Sequence, residues 1–195
     1  RMPSSAHPRL LVLHASHFFT SNTWTFWTMV RSYMEEMEIQ EISLRNGKIY
    51  DCAGCPYTMC MHFSEKGSCY YGGAMVDEVY PAVEQCTGLL LLCPNYNDAV
   101  SANIAAFVNR LTALFRKRPF YDKALFGIVV SGYSGGDIVA SQLISALNMN
   151  KAFQLPPHFA VLETANEPGS IREVPGIEQE AAAFAAHIRQ VLSGT

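Results

Sequence analysis

Apolar runs alternate along this chain with stretches of helical periodicity. Arg9 to His14 (Arg-Leu-Leu-Val-Leu-His) is the first run, and Glu38 to Leu44 alternates as a second. Gly88-Leu-Leu-Leu-Leu-Cys93 and the run within Lys123 to Ser131 are almost wholly apolar, the signature of strands buried on both faces. Phe159 to Leu162 is a shorter fifth run. Between them, Trp24 to Met37 places Trp27, Val30, Tyr33, Met34 and Met37 at three- and four-residue intervals. Met75 to Glu84 also reads as a helix, despite Pro81. Ser101 to Arg118 carries Ile104, Phe107, Val108 and Leu111 on one face and is stopped by Pro119. Ile138 to Leu147 and the Ala-rich Ile177 to Leu192 complete the set. Strands alternating with helices imply a parallel sheet joined by right-handed crossovers.

Three turns after apolar runs hold the candidate chemistry. In open α/β sheets, ligands bind beyond the carboxyl ends of the strands. Pro94 removes a backbone donor where its strand ends, so the amides from Asn95 to Asp98 are free to meet a ligand. The turn from Ala15 to Thr23 carries Ser16, Thr20, Ser21, Asn22 and Thr23 ahead of a helix. Hydroxyls and free amides at a helix start suit a phosphate; alternatively, Ser21, Asn22 or Thr23 simply caps the helix. Gly132-Tyr-Ser-Gly135-Gly136-Asp137 allows close backbone approach to a ligand, or is an ordinary glycine-rich turn. Asn97 and Asp98 read as turn formers rather than catalytic acids.

Totals narrow the function classes. At 195 residues the simplest organisation is one domain, 1–195, with a cysteine-rich insert at about 46–72. A net charge of -3 gives no electrostatic case for nucleic acid or an anionic membrane as partner. No run is long enough to span a bilayer, and the first residues show no apolar signal core. Six cysteines in such a chain fit a reduced, cytoplasmic setting. Asn46-Gly47 marks a turn, and from Ile49 to Tyr71 the chain shows no clean period and reads as an irregular excursion on the ligand side.

That excursion contains Cys52-x2-Cys55-x4-Cys60-x8-Cys69. Four thiols can ligate a metal centre, form a disulfide or stay free, and His62 could substitute as a ligand. Cys86 and Cys93 lie beside or in a core strand and read as small buried hydrophobes. Tyr57, Phe63, Tyr70, Tyr71, Tyr96 and Tyr133 either stack on a planar ligand or pack an irregular loop.

Pro94-x-Tyr96, a spacer containing Ser101-Ala102, and Phe107-x-x-Arg110 resemble the flavin-ring loop of the NADPH-dependent FMN reductases, which include iron–sulfur flavoproteins. Ser16 to Thr23 is similar to that family's phosphate loop, and Gly132 to Gly136 to its second ring loop. Phe18, Ala105 and Asn109 depart from the common pattern, at positions where Arg, Lys and Asp are frequent. The resemblance implies a flavodoxin-like α/β three-layer sandwich whose five-stranded parallel sheet runs 2-1-3-4-5, with helices on both faces. That order sets the first and third strands side by side, so two of the loops meet at one crevice. It implies FMN as cofactor and NAD(P)H as co-substrate, with the phosphate at Ser16, Ser21, Asn22 and Thr23 and with Phe18 in the same cofactor-binding loop. The ring falls to Pro94, Asn95, Tyr96 and Asn97 and to Gly132, Tyr133, Gly135 and Gly136. It implies a flavin, quinone or other small acceptor and a homodimer or homotetramer. Iron–sulfur members place a [4Fe-4S] cluster on cysteines like Cys52, Cys55, Cys60 and Cys69 and draw on ferredoxin. A module that has kept the fold and lost the flavin is the third reading.

Overall fold

The computed structural model describes residues 5–45 and 49–194. The Asn46-Gly47 turn lies outside the described residues. Five parallel strands form one sheet in the order β2-β1-β3-β4-β5. They are β1 (Arg9–His14), β2 (Glu38–Ser43), β3 (Gly88–Pro94), β4 (Ala124–Ser131) and β5 (Ala160–Thr164). The helices are α1 (Asn22–Ser32), α2 (Tyr57–Glu65), α3 (Tyr80–Gln85), α4 (Ala102–Lys117), α5 (Gly136–Leu143) and α6 (Ile177–Ser193).

Alternation along the strands divides the core in two. Leu11, Leu13, Leu89, Leu91, Cys93, Leu125 and Val129 pack with Tyr80, Phe107, Leu111 and Leu143 of α3, α4 and α5. Leu10, Val12, Leu90, Leu92, Phe126, Ile128 and Val130 pack with Phe26, Trp27, Phe184 and Ile188 of α1 and α6. All positions of β3 and β4 are buried, which is why both read as continuous apolar runs. Each large side chain buried this way contributes about 1.5–3 kcal/mol. Two layers of helix around a parallel sheet make the flavodoxin-like sandwich that the sequence implied.

Local differences have local causes. The first helix spans Asn22–Ser32 rather than 24–37, because the Ser21 side chain accepts the Trp24 N–H at 3.1 Å and sets the start early. Its end is early because Tyr33 leaves helical geometry and its N–H turns to the Val30 carbonyl. The Met75 helix opens as a π turn, Met75–Val79, before α3, and Pro81 sits in the first turn of α3, where its missing N–H costs least. The stretch read as irregular contains α2, whose period is hidden because Ser64 is its one buried residue.

Candidate functional site

The carboxyl ends of β1, β3, β4 and β5 open on one cleft of about 240 Å³. Its walls include Ser21 from the β1 loop with Asn22 and Thr23 from the first turn of α1, Pro94, Asn95 and Tyr96 from the β3 loop, and Gly132 from the β4 loop. His17, Thr20, Val130, Ala165 and Asn166 complete them. Loops that are far apart in sequence therefore share one rim.

Side-chain hydrogen bonds link these loops in series. Asn22, in the first turn of α1, donates through Nδ2 to the carbonyls of Ala165 (3.1 Å) and Glu167 (2.8 Å). Its Oδ1 accepts from the N–H groups of Gly169 (2.9 Å) and Ile171 (3.4 Å). Thr164 at the end of β5 donates to the Tyr133 carbonyl of the β4 loop at 3.2 Å. Asn95 of the β3 loop donates to the Ser134 carbonyl (2.8 Å) and the Ser131 hydroxyl (3.1 Å). Gln142 of α5 donates to the Asp98 carbonyl (2.9 Å) and accepts the Val100 N–H (3.1 Å).

The β3 loop holds a tight turn, with Asn97 and Asp98 both at φ 55°. Asn and Asp tolerate this left-handed geometry better than other residues with a side chain. Gly135 meets the turn from the β4 side at φ 85°, and a Cβ there would stand 1.8 Å from Asp98 Oδ1. A Cβ on Gly132 would stand 2.9 Å from Asn166 Oδ1. The glycines thus let the β4 loop approach its neighbours closely.

Two buried polar atoms of the β1 and β3 loops have no partner among the described residues: Asn95 Oδ1, whose residue lines the cleft, and the Ser16 hydroxyl, which lies just behind its walls beside His17. Buried polar atoms normally find a partner. Ser16 is 1% exposed, and its N–H donates to Nδ1 of His14 at 3.3 Å. His14, also buried, packs on Trp24 and Phe18 with ring centroids 4.6 and 5.6 Å away. Burial, with a smaller effect from the positive charge of Arg45, pushes its imidazole down to about 4. It is therefore neutral near pH 7 and can serve as the acceptor for Ser16.

Asn22 lines the cleft, but its side-chain amide is occupied by the β5–α6 loop, leaving its backbone N–H at the first turn of α1. Ser21 is the helix cap, and its hydroxyl already accepts from Trp24. Phe18 packs edge-on to Trp24 at 4.7 Å. Tyr96 and Tyr133 are 60% and 81% exposed beside the loops. Gly136 begins α5, and Asn97 sits at the turn of the β3 loop. Sequence reasoning missed His14, His17 and the Asn166 loop. The last had a usable signal: it follows a strand at the same sheet edge.

The four insert cysteines line a second cavity of about 160 Å³ between α2 and α4. All are free thiols, as are Cys86 and Cys93, which burial pushes up to about 12 and keeps as inert thiols of the core. Among the described residues no three His, Cys, Asp or Glu side chains stand together closely enough to hold a metal ion. As placed, the thiols share a cavity without forming the ligand set that a [4Fe-4S] cluster requires. Among the described residues no helix is long and apolar enough to cross a membrane.

Solved structures of the same fold include an NAD(P)H:quinone oxidoreductase from Methanothermobacter marburgensis, with TM-score 0.66 and 12% identity over 94% of this chain and 96% of that one. RosB with the bound intermediate 8-demethyl-8-formylriboflavin-5'-phosphate matches with TM-score 0.65 and 14% identity over 95% and 81%. The Trp repressor binding protein from Bacillus subtilis matches with TM-score 0.59 and 18% identity over 89% and 96%. Identities this low establish the fold alone. No curated protein matches the chain. The family model described as NADPH-dependent FMN reductase matches residues 8–167, from the start of the sheet to the loop after β5. With that match over most of its length, the chain belongs to the NADPH-dependent FMN reductase family.

Proposed function

We propose that the four-loop cleft binds FMN and that the protein uses NAD(P)H to reduce a small acceptor, a quinone or a flavin. The observation that carries this reading is the pair of partnerless buried atoms, Ser16 Oγ and Asn95 Oδ1, on the loops that follow the neighbouring strands β1 and β3. A phosphate accepts from a hydroxyl, and a flavin ring edge offers an N–H to an amide oxygen. When bound, the cofactor supplies hydride acceptance and one- or two-electron release.

The chain's own residues bind and orient. The first-turn amides of α1, at Asn22 and Thr23, take the phosphate with Ser16 and the Thr23 hydroxyl, helped by the positive end of the helix dipole. Ser21 fixes that turn through its cap bond, and Phe18 closes it by packing on Trp24. Among the described residues the cleft's walls carry no Lys or Arg, so hydroxyls and backbone amides are the donors for the anion. Backbone from Pro94 to Asn97 and from Gly132 to Gly136 takes the ring, with Tyr96 and Tyr133 at its edge; the Asn95 N–H, expected to be free for a ligand, is instead given to the Val130 carbonyl at 3.0 Å, so that residue contributes through its side chain. RosB, of the same fold, holds a riboflavin 5'-phosphate derivative, which supports the choice of ligand.

A homodimer or homotetramer suits the exposed Phe19 and Tyr133 beside the cleft, and a reducing, cytoplasmic setting suits six free thiols. The alternative, a cluster-bearing carrier served by ferredoxin, has in its favour that Cys52, Cys55, Cys60 and Cys69 line one cavity. It lacks an assembled ligand set, so the reductase is preferred. The test is an anaerobic absorbance record of FMN-loaded protein during NADPH addition, followed by a quinone. Bleaching and its reversal are expected. An unchanged flavin band under excess NADPH and NADH would sink the reductase reading.

A further inference from the structure

Arg110 and Arg116 of α4 both line the second cavity. Arg110 is 2% exposed; its Nη2 donates to the Gly72 carbonyl at 2.7 Å and its Nη1 to the Tyr50 carbonyl at 3.4 Å. Its Nε is buried without a partner among the described residues, and so is Nη1 of Arg116. Neither guanidinium has a carboxylate within ion-pair distance among the described residues. Arg116 instead lies over the Tyr57 ring, 4.6 Å from its centroid. A buried cation left without an anion is costly, and its unused N–H adds to that cost. Both are relieved at once if an anion enters the cavity.

Beside the four thiols, the walls carry three aromatic rings, and these indicate what carries that anion. Phe63, Tyr70 and Tyr71 form a chain of edge-on contacts, with centroids 5.7 and 5.1 Å apart, along the cavity. Edge-on rings offer faces and edges to a further flat ring. The cavity's size of about 160 Å³ is that of a site for a single six-membered ring.

We propose that this cavity is a binding site for a small aromatic carboxylate, with Arg110 and Arg116 taking the carboxylate and the three aromatic rings taking the body. A carboxylate can use both unpartnered N–H groups, because charge-assisted bonds from guanidinium are its strongest contacts in proteins. A bare cation is disfavoured by the same two charges. The site is separate from the four-loop cleft and does not depend on flavin occupying it.

The test uses benzoate as probe. Titration calorimetry is run on the full chain, with and without saturating FMN, after iron and acid-labile sulfide have been measured on the same preparation. Saturable binding at one site per chain is expected, whether or not FMN is present. Benzyl alcohol, of similar shape and no charge, is expected to bind at least ~10-fold more weakly. Arg116→Met keeps most of the packing and removes the charge; it should weaken benzoate by a similar factor and leave FMN affinity unchanged. Arg110→Met is expected to abolish benzoate binding; because Arg110 also ties down the insert, the Arg116 variant decides the matter if that protein does not fold. The proposal is overturned by absence of saturable benzoate binding, by equal binding of the alcohol, by an Arg116 variant that binds benzoate like the parent, or by stoichiometric iron and sulfide, which would place a cluster in the cavity. Failure of FMN to bind would count against the flavin cleft and leave this site standing.

Discussion

Gly135→Ala tests how closely the cleft's loops fit. Gly135 has φ 85°, and an added Cβ would stand 1.8 Å from Asp98 Oδ1, 2.7 Å from its Cγ and 3.1 Å from Asn95 Nδ2. Two separable costs follow. The left-handed backbone costs a residue with a Cβ about 1–2 kcal/mol wherever its neighbours stand. Overpacking adds roughly 1–3 kcal/mol unless the obstructing group can move. Asp98 is that group; its removal also loses the 3.3 Å bond from Asn95 Nδ2, worth about 1 kcal/mol. Gly135→Ala should therefore lose about 2–5 kcal/mol, or roughly 5–15 °C in Tm, and bind FMN at least ~10-fold more weakly. In the double variant with Asp98→Ala, the steric part disappears and the backbone part remains. The combined loss should fall short of the sum of the single losses by ~1–3 kcal/mol. Urea denaturation gives the stabilities, and quenching of FMN fluorescence gives the affinities. Strict additivity would show that the clash is not what makes glycine necessary there, and an unperturbed single variant would refute the close approach altogether.

Ser16→Ala removes a buried hydroxyl with no partner among the described residues, so the flavin-free protein should be as stable as the parent or slightly more so, while FMN affinity drops ~5–10-fold; equal FMN affinity would contradict the hydroxyl's assignment. Asn22→Leu loses four hydrogen bonds to the β5–α6 loop and should cost about 3 kcal/mol in urea denaturation. His14 is held at about 4 in the fold against an ordinary 6.5, so its stability contribution is complete above pH 6.5 and is lost as pH falls toward 4, by up to roughly 3 kcal/mol. His14→Asn should flatten that part of the stability profile. Glu180 runs the other way: burial first, then the hydrogen bond and charge of Glu163, raise it to about 7. Its favourable contribution is present at low pH and lost as pH rises through about 7, so Glu180→Gln should raise Tm at pH 8 more than at pH 5.

What could be read in the sequence was what leaves a strong local imprint. β3 and β4 are apolar throughout because both faces are covered, and α4 repeats its apolar positions over sixteen residues. The Pro94 and Ser16–Thr23 loops stood out because they follow such strands. What stayed hidden depends on contacts across the chain. Asn22 looks like any polar residue at a helix start; its four bonds lie at separations of 143 to 149 residues. His14 reads as the end of a strand, and only burial against Trp24 and Phe18 makes it a neutral acceptor beneath Ser16. The helix α2 escaped notice because it lies mostly exposed, so its sequence carries no apolar stripe.

The most direct measurement is a crystal structure of the protein grown with FMN. Flavin is expected in the four-loop cleft, its phosphate within hydrogen-bond distance of the Ser16 hydroxyl and the first-turn amides of α1, and its ring against Pro94–Asn97 and Gly132–Gly136. Flavin bound at any other place, or a cleft that stays free of it at saturating FMN, would contradict this placement.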